Sequence, residues 1–153
     1  MTLTRRSFIA AAAAAPVIAF AATRSAAQTA QFYNNDGIAI DGSDAVSYFT
    51  EGRPVQGDAA FALTYMGVTW HFASEANRAA FEADPEAYAP QYGGYCAWAV
   101  SQGYTASTIP EAWKIVDGKL YLNYSRRIQR RWERDIPANI AAADKNWPGV
   151  LSA

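Results

Sequence analysis

The chain contains one histidine, His71, and one cysteine, Cys96, and both are residue types that bind soft metal ions. A structural zinc site takes four ligands, and a blue-copper site takes two histidines and one cysteine. One chain cannot supply either set. Thiolate ligands select Cu(I), so these residues allow a copper-type ion at His71 and Cys96, in a site of low coordination or one shared across a dimer. After residue 27, Met66 is the one further soft ligand, and it lies at a predicted turn.

Both residues also have ordinary explanations. Free cysteine is among the most buried residue types, and a histidine on a polar strand face needs only hydrogen bonds. As a third hypothesis, Cys96 and His71 could form a thiolate–imidazole pair for redox or transfer chemistry. No third orienting residue can be identified, and no hydrolase, nucleotide-binding or kinase pattern occurs. We therefore rank catalysis below metal binding and assign no catalytic or cofactor-binding residue.

The N-terminus has the form of an export signal. Residues 4–9, TRRSFI, resemble a twin-arginine signal. The uncharged run over residues 8–22 is shorter than the roughly 20 apolar residues of a membrane-spanning helix. Small residues before Gln28 suit cleavage near Ala27. We expect a signal over 1–27 and a periplasmic mature domain over 28–153 without a transmembrane segment.

The charge of the predicted mature chain argues against nucleic-acid binding. Arg5, Arg6 and Arg24 leave with the signal, so the 13 basic residues of the whole chain fall to 10, against 14 acidic ones. The resulting net charge of −4 does not suit a polyanionic partner. A single cysteine also precludes an internal disulfide, so the domain must be stabilised by its core.

Residues 61–72, FALTYMGVTWHF, are typical of a β-hairpin with Met66-Gly67 as a two-residue turn. In that register every residue on one face is large and apolar, from the Phe61–Phe72 pair to the Tyr65–Val68 pair. The pattern specifies the register, because a slip of one residue would expose the apolar set. It also directs His71 away from the aromatic face.

The remaining elements indicate an α+β fold, in which two short β-hairpins pack with several short helices. The sequence predicts a loose segment over 28–37 and a strand over 38–40. A short helix follows, capped by Ser43 or Asp44. Further capped helices are predicted after Ser74 and Asp84, and a short helix after Cys96. A second hairpin turns at Asp117-Gly118, and two helices span 125–136 and 137–145.

Several of these motifs resemble the YHS domain, a family named for Tyr, His and Ser positions. The segment 65–88, YMGVTWHFASEANRAAFEADPEAY, has that order of residues. The wider chain over 38–148 looks like the longer exported YHS-domain proteins, which share PQYGGYCAWAVSQG, VDGKLYLNYS and DKNWP. The resemblance implies a YHS-type domain over 28–153 with its core motif over about 61–104.

The resemblance also implies heavy-metal binding, often of copper. YHS domains of copper-transporting ATPases usually carry the pattern Phe-Cys-Ser-x-x-Cys. The matching positions here are Ala73 and Asn77, which do not bind soft metals. A metal function therefore cannot be transferred through that pair, and only His71 and Cys96 remain as metal ligands.

A second hypothesis is a metal-free structural or partner-binding module of the cell envelope, with an unknown protein partner. Five arginines between 126 and 134 form a basic stripe on a predicted helix, which is either a solvated face or a patch for an anionic partner. Aromatic residues around Cys96 either pack in the core or line a pocket; they are Tyr92, Tyr95, Trp98 and Tyr104.

Overall fold

The computed structural model describes residues 28–153, and the predicted signal over 1–27 lies outside these residues. The described part is α+β, as predicted. Its strands are β1 (Asn34–Asn35), β2 (Ile38–Ala39), β3 (Asp58–Tyr65), β4 (Val68–Phe72), β5 (Trp113–Val116) and β6 (Lys119–Leu122). Its α-helices are α1 (Ser47–Thr50), α2 (Glu75–Ala83), α3 (Pro85–Tyr88), α4 (Ala97–Ser101), α5 (Arg126–Trp132) and α6 (Ile136–Asn146).

The strands form a four-stranded sheet in the order β1-β2-β4-β3 and a separate hairpin of β5 and β6. Strands β3 and β4 pair antiparallel, whereas β2 lies parallel to β4. One hydrophobic cluster covers the sheet, and Phe81 of α2 contacts Trp70 and Phe72 there, with ring centroids 4.8 and 5.1 Å apart. A second cluster lies under β6 and the C-terminal helices, around the buried Trp132. None of the helices between residues 28 and 153 has the length and apolar character that crossing a membrane requires.

The first predicted hairpin is confirmed close to its turn. Leu63 pairs with Trp70 and Tyr65 with Val68, and Met66 has the positive φ of 48° that a two-residue hairpin turn needs. The predicted pairing of residues 61 and 72 is wrong. An irregularity in β3 shifts the register, so Phe72 pairs with Asp58 instead.

The expectation that residues 28–37 are loose is also wrong. Phe32 is buried in the first cluster, and Asp36-Gly37 closes a small hairpin between β1 and β2 with φ values of 50° and 81°. An Asp-Gly pair favours this turn because both positions need positive φ. The edge strands of this sheet are β1 and β3.

Side-chain caps begin the helices at the predicted residues. The Ser74 hydroxyl accepts from the backbone N–H of Asn77, and Asp84 accepts from that of Ala87. The predicted helix over 125–136 is shorter than expected. It ends at Trp132, and a 3₁₀ turn leads to Asp135, which caps α6. A residue that caps a new helix cannot also continue the previous one, because the cap has non-helical backbone angles.

Asp44 is completely buried, and its carboxylate accepts hydrogen bonds from four nitrogen atoms. Oδ1 accepts from the backbone N–H groups of Val46 at 2.8 Å and Ser47 at 3.2 Å, which confirms the predicted cap. Oδ2 accepts from the backbone N–H of Ala73 at 2.8 Å and from Nδ2 of Asn77 at 2.7 Å. No lysine or arginine of residues 28–153 pairs with it. The buried charge is therefore stabilised by N–H donors alone.

We expect Asp44→Asn to lower the free energy of unfolding by about 3 kcal/mol, since hydrogen bonds to a charged acceptor are worth roughly 1.5–3 kcal/mol each. Urea denaturation measures the loss. Glu86→Gln is the matched control, because Glu86 is exposed and its substitution should change stability by less than about 0.5 kcal/mol. Equal stability of the two variants would contradict this role for Asp44.

Two tyrosines with a raised pKa predict that the protein unfolds at alkaline pH. Burial raises the pKa of Tyr33 and Tyr48 from 10.0 to about 12, with Asp41 adding to the shift at Tyr33. Because the folded state holds these protons more tightly, their contribution to stability is complete below pH 10 and is lost as the pH rises through 12. Circular dichroism and tyrosinate absorbance should change together in that interval. Ionisation of all tyrosines near pH 10, with the fold retained, would contradict it.

Candidate functional site

His71 lies on β4 opposite Ala62, on the face away from the aromatic cluster. Its neighbours in the strand, Trp70 and Phe72, are buried, whereas His71 is partly exposed. Two glycines pack against it closely. A Cβ atom on Gly42 would lie 3.4 Å from Nδ1 of His71, and one on Gly57 would lie 2.7 Å from the His71 Cβ. Gly57 therefore lies so close to the backbone of His71 that a larger residue would clash there, whereas Gly42 is at ordinary contact distance from the imidazole.

Cys96 precedes α4 and is 1 % exposed. Its thiol donates to Oδ1 of Asn123 at 3.5 Å, and the same oxygen accepts the backbone N–H of Trp98 at 3.1 Å. Burial raises the pKa of the Cys96 thiol, although backbone N–H groups of Ala99, Tyr124 and Trp98 partly offset this effect. The buried thiol is therefore a weaker nucleophile at neutral pH than an exposed thiol.

The contacts known for His71 and for Cys96 involve different residues. His71 borders Ala62, Gly42 and Gly57, whereas Cys96 contacts residues of α4 and of the segment after β6. Among residues 28–153, no group of three or more His, Cys, Asp or Glu side chains could hold a metal ion. A metal site at His71 and Cys96 therefore stays a prediction, in which one chain supplies these two ligands.

The two positions that resemble the cysteine pair of other YHS domains bond to one carboxylate instead. The backbone N–H of Ala73 and the side-chain amide of Asn77 both donate to Oδ2 of Asp44. Ala73 has no ligating atom, and the Asn77 amide is already bonded. The residues present do not fit a two-cysteine metal site. Sequence reasoning identified Asp44 only as a helix cap, because no local pattern relates it to residues 29 and 33 positions away.

Cys96 lines an open apolar cleft of about 320 Å³. Aromatic side chains of Trp98, Tyr104 and Tyr124 line it together with Ile128. Tyr104 is 51 % exposed and Tyr124 is 55 % exposed. Of the two alternatives, core packing or a pocket, Trp98 and Tyr104 follow the second. Tyr92 lines a different cleft, together with Met66, and Tyr95 is buried.

Arginines border the same cleft. Arg127 and Arg131 line an adjoining hollow of about 230 Å³, which shares Tyr124 and Ile128 with the cleft. The guanidinium of Arg131 lies over the Trp98 ring, 5.6 Å from its centroid, in a cation–π contact. We call this surface the aromatic–arginine face and define it by Trp98, Tyr104, Tyr124, Arg127 and Arg131.

The basic stripe is exposed and carries no internal ion pair. Among residues 28–153, the salt bridges involve only Arg53, Arg78 and Lys114 as cations. The five arginines of the stripe are all exposed and none of them has an acidic partner there; they are Arg126, Arg127, Arg130, Arg131 and Arg134. Their charge is available to an external anion.

A comparison with protein families finds the YHS domain at residues 46–92. The matched segment covers the β3–β4 hairpin, α2, α3 and His71, and it ends before Cys96 and the aromatic–arginine face. The match keeps a metal-associated role among the candidate functions. No curated protein and no solved structure matches the chain.

We predict that Cys96 reacts slowly in the folded protein. Iodoacetamide should label it roughly 100-fold more slowly in buffer than in concentrated guanidinium chloride, because labelling requires local opening. Since the pKa is raised above 9.0, the native rate should continue to rise beyond the pH at which an ordinary thiol is ionised.

The matched control is Cys96→Ala/Ser107→Cys, which moves the single thiol to an exposed position. That variant should react equally fast with and without denaturant. Fast native labelling of Cys96, comparable to that of the control, would contradict the buried, neutral thiol.

Proposed function

We propose that this chain is an exported, metal-free binding module with a YHS domain, which binds an apolar group of its partner in the cleft beside Cys96. The observation that carries the proposal is the aromatic–arginine face. It combines an open apolar cleft with half-exposed tyrosines and unpaired arginines. Tyrosine, tryptophan and arginine are the residues most enriched among those that dominate binding energy at interfaces.

The donor chemistry favours this proposal over metal binding. Cys96 is buried and neutral, and His71 lies against two glycines with no second soft ligand among its contacts. Ala73 and Asn77 bond to Asp44, as described above. A copper-type site on His71 and Cys96 is the competing proposal.

Catalysis by Cys96 receives less support. A nucleophilic cysteine needs a lowered pKa or an adjacent base, whereas burial raises the pKa of Cys96 and its thiol contacts the neutral amide of Asn123. Export to the periplasm rests on the sequence of residues 1–27 alone. A twin-arginine route would suit this module, because that route carries proteins that have already folded.

Elemental analysis of the exported protein tests the metal-free proposal. Protein purified without an affinity tag or chelator should contain far less than one copper or zinc per chain, and Cu(I) titration should not change this. His71→Ala and Cys96→Ala should behave like the unaltered protein. About one metal ion per chain, or per two chains, that both alanine variants lose would overturn the proposal in favour of the site at His71 and Cys96.

A further inference from the structure

We infer that the ligand of the aromatic–arginine face is a small amphipathic organic anion, with a short acyl chain or a single ring in the cleft and a carboxylate at Arg127 and Arg131. This inference rests on the proposed function, because it names the ligand class of the same cleft.

The size of the cleft limits the apolar part of the ligand. A volume of about 320 Å³ lies at the lower end of the roughly 300–1,000 Å³ found for small-molecule sites. Side chains of Trp98, Ile128 and Ala106 offer the cleft no charge. An apolar group is favoured there, because its burial removes hydrocarbon surface from water on both sides.

The charged part of the ligand has a neighbouring place to bind. The hollow that contains Arg127 and Arg131 shares Tyr124 and Ile128 with the cleft, so one molecule can occupy both. Stacking on Trp98 holds the Arg131 guanidinium at the boundary between them. A guanidinium presents two parallel N–H donors that match the two oxygens of a carboxylate.

The charges around both hollows select an anion. Neither hollow is lined by an acidic side chain. Glu133, the acidic residue that follows α5, bonds to Lys114 at 3.3 Å and to Gln129 at 3.2 Å. A cationic ligand would be repelled by two unpaired arginines, and a neutral one would gain nothing from them.

A soluble anion suits this surface better than a membrane. A vesicle surface would have to contact a broad basic and apolar area, whereas the apolar part here is one narrow cleft. Residues 28–153 carry 10 basic and 14 acidic side chains, so their net charge weakens attraction to anionic lipids. The carboxylate is therefore assigned to a free small molecule.

Calorimetric titration of the exported protein with octanoate, octanol and octyltrimethylammonium tests the inference, because the three share one chain and differ in charge. Octanoate should bind and change tryptophan fluorescence, and the other two should bind at least roughly 10-fold more weakly. Ala106→Leu, which fills the cleft without changing charge, should abolish octanoate binding.

A charge-matched pair of variants locates the carboxylate. Arg127→Gln/Arg131→Gln should weaken octanoate binding roughly 10- to 100-fold. Arg130→Gln/Arg134→Gln removes the same charge from the same stripe but from positions outside both hollows, so it should change affinity by less than about threefold. Equal loss in the two variants would overturn the assignment to Arg127 and Arg131.

The outcomes separate this inference from the proposed function. Octanol binding as tightly as octanoate, with both lost in Ala106→Leu, would overturn anion selectivity and support binding of an apolar group. Failure of all three compounds to bind would overturn both proposals. Retention on phosphatidylglycerol vesicles without binding of free octanoate would overturn the choice of a soluble ligand.

Discussion

The buried carboxylate of Asp44 is the constraint on which the matched YHS segment depends. A charge taken out of water must be compensated, and here four N–H donors compensate it without a cation. One oxygen fixes the start of α1, and the other fixes Ala73 and Asn77, which join β4 to α2. These hydrogen bonds position α2 so that the Phe81 ring packs against Trp70 and Phe72. The Asp44 side chain therefore both caps a local turn and connects segments that are distant in the sequence.

The same network leaves no free metal ligand at positions 73 and 77, and the proposed binding surface lies elsewhere. Positions 73 and 77 hold the cysteines of the YHS domains that this chain resembles, and here they are bonded to Asp44. The apolar cleft and the unpaired arginines lie in the C-terminal part, beyond residue 92 where the family match ends. The chain thus combines a YHS segment that the Asp44 network stabilises with an adjoining surface suited to an organic ligand. Cys96 lines that surface, and burial raises the pKa of its thiol.

Much of this fold was predictable from interactions between residues close in the sequence. Apolar alternation gave the β3–β4 register near its turn, Asp117-Gly118 gave the second hairpin, and Ser74 and Asp84 gave helix starts. The parallel pairing of β2 with β4 was not predictable, because it joins two-residue and five-residue strands through a long connection. The aromatic residues near Cys96 suggested a pocket. That the arginines border this pocket was not predictable, because it depends on how α5 packs against α4. The separate surroundings of His71 and Cys96 likewise follow only from the tertiary arrangement.

Mapping of backbone amide shifts by NMR, with octanoate and Cu(I) added separately to the same labelled protein, distinguishes ligand binding at the aromatic–arginine face from metal binding at His71 and Cys96. Octanoate should shift the amides of Trp98, Tyr104, Tyr124 and Arg131 and leave those of Ala73 and Asn77 unchanged, and Cu(I) should shift neither set nor His71. Saturable Cu(I) shifts at His71 and Cys96 together, with none from octanoate at the aromatic–arginine face, would contradict it.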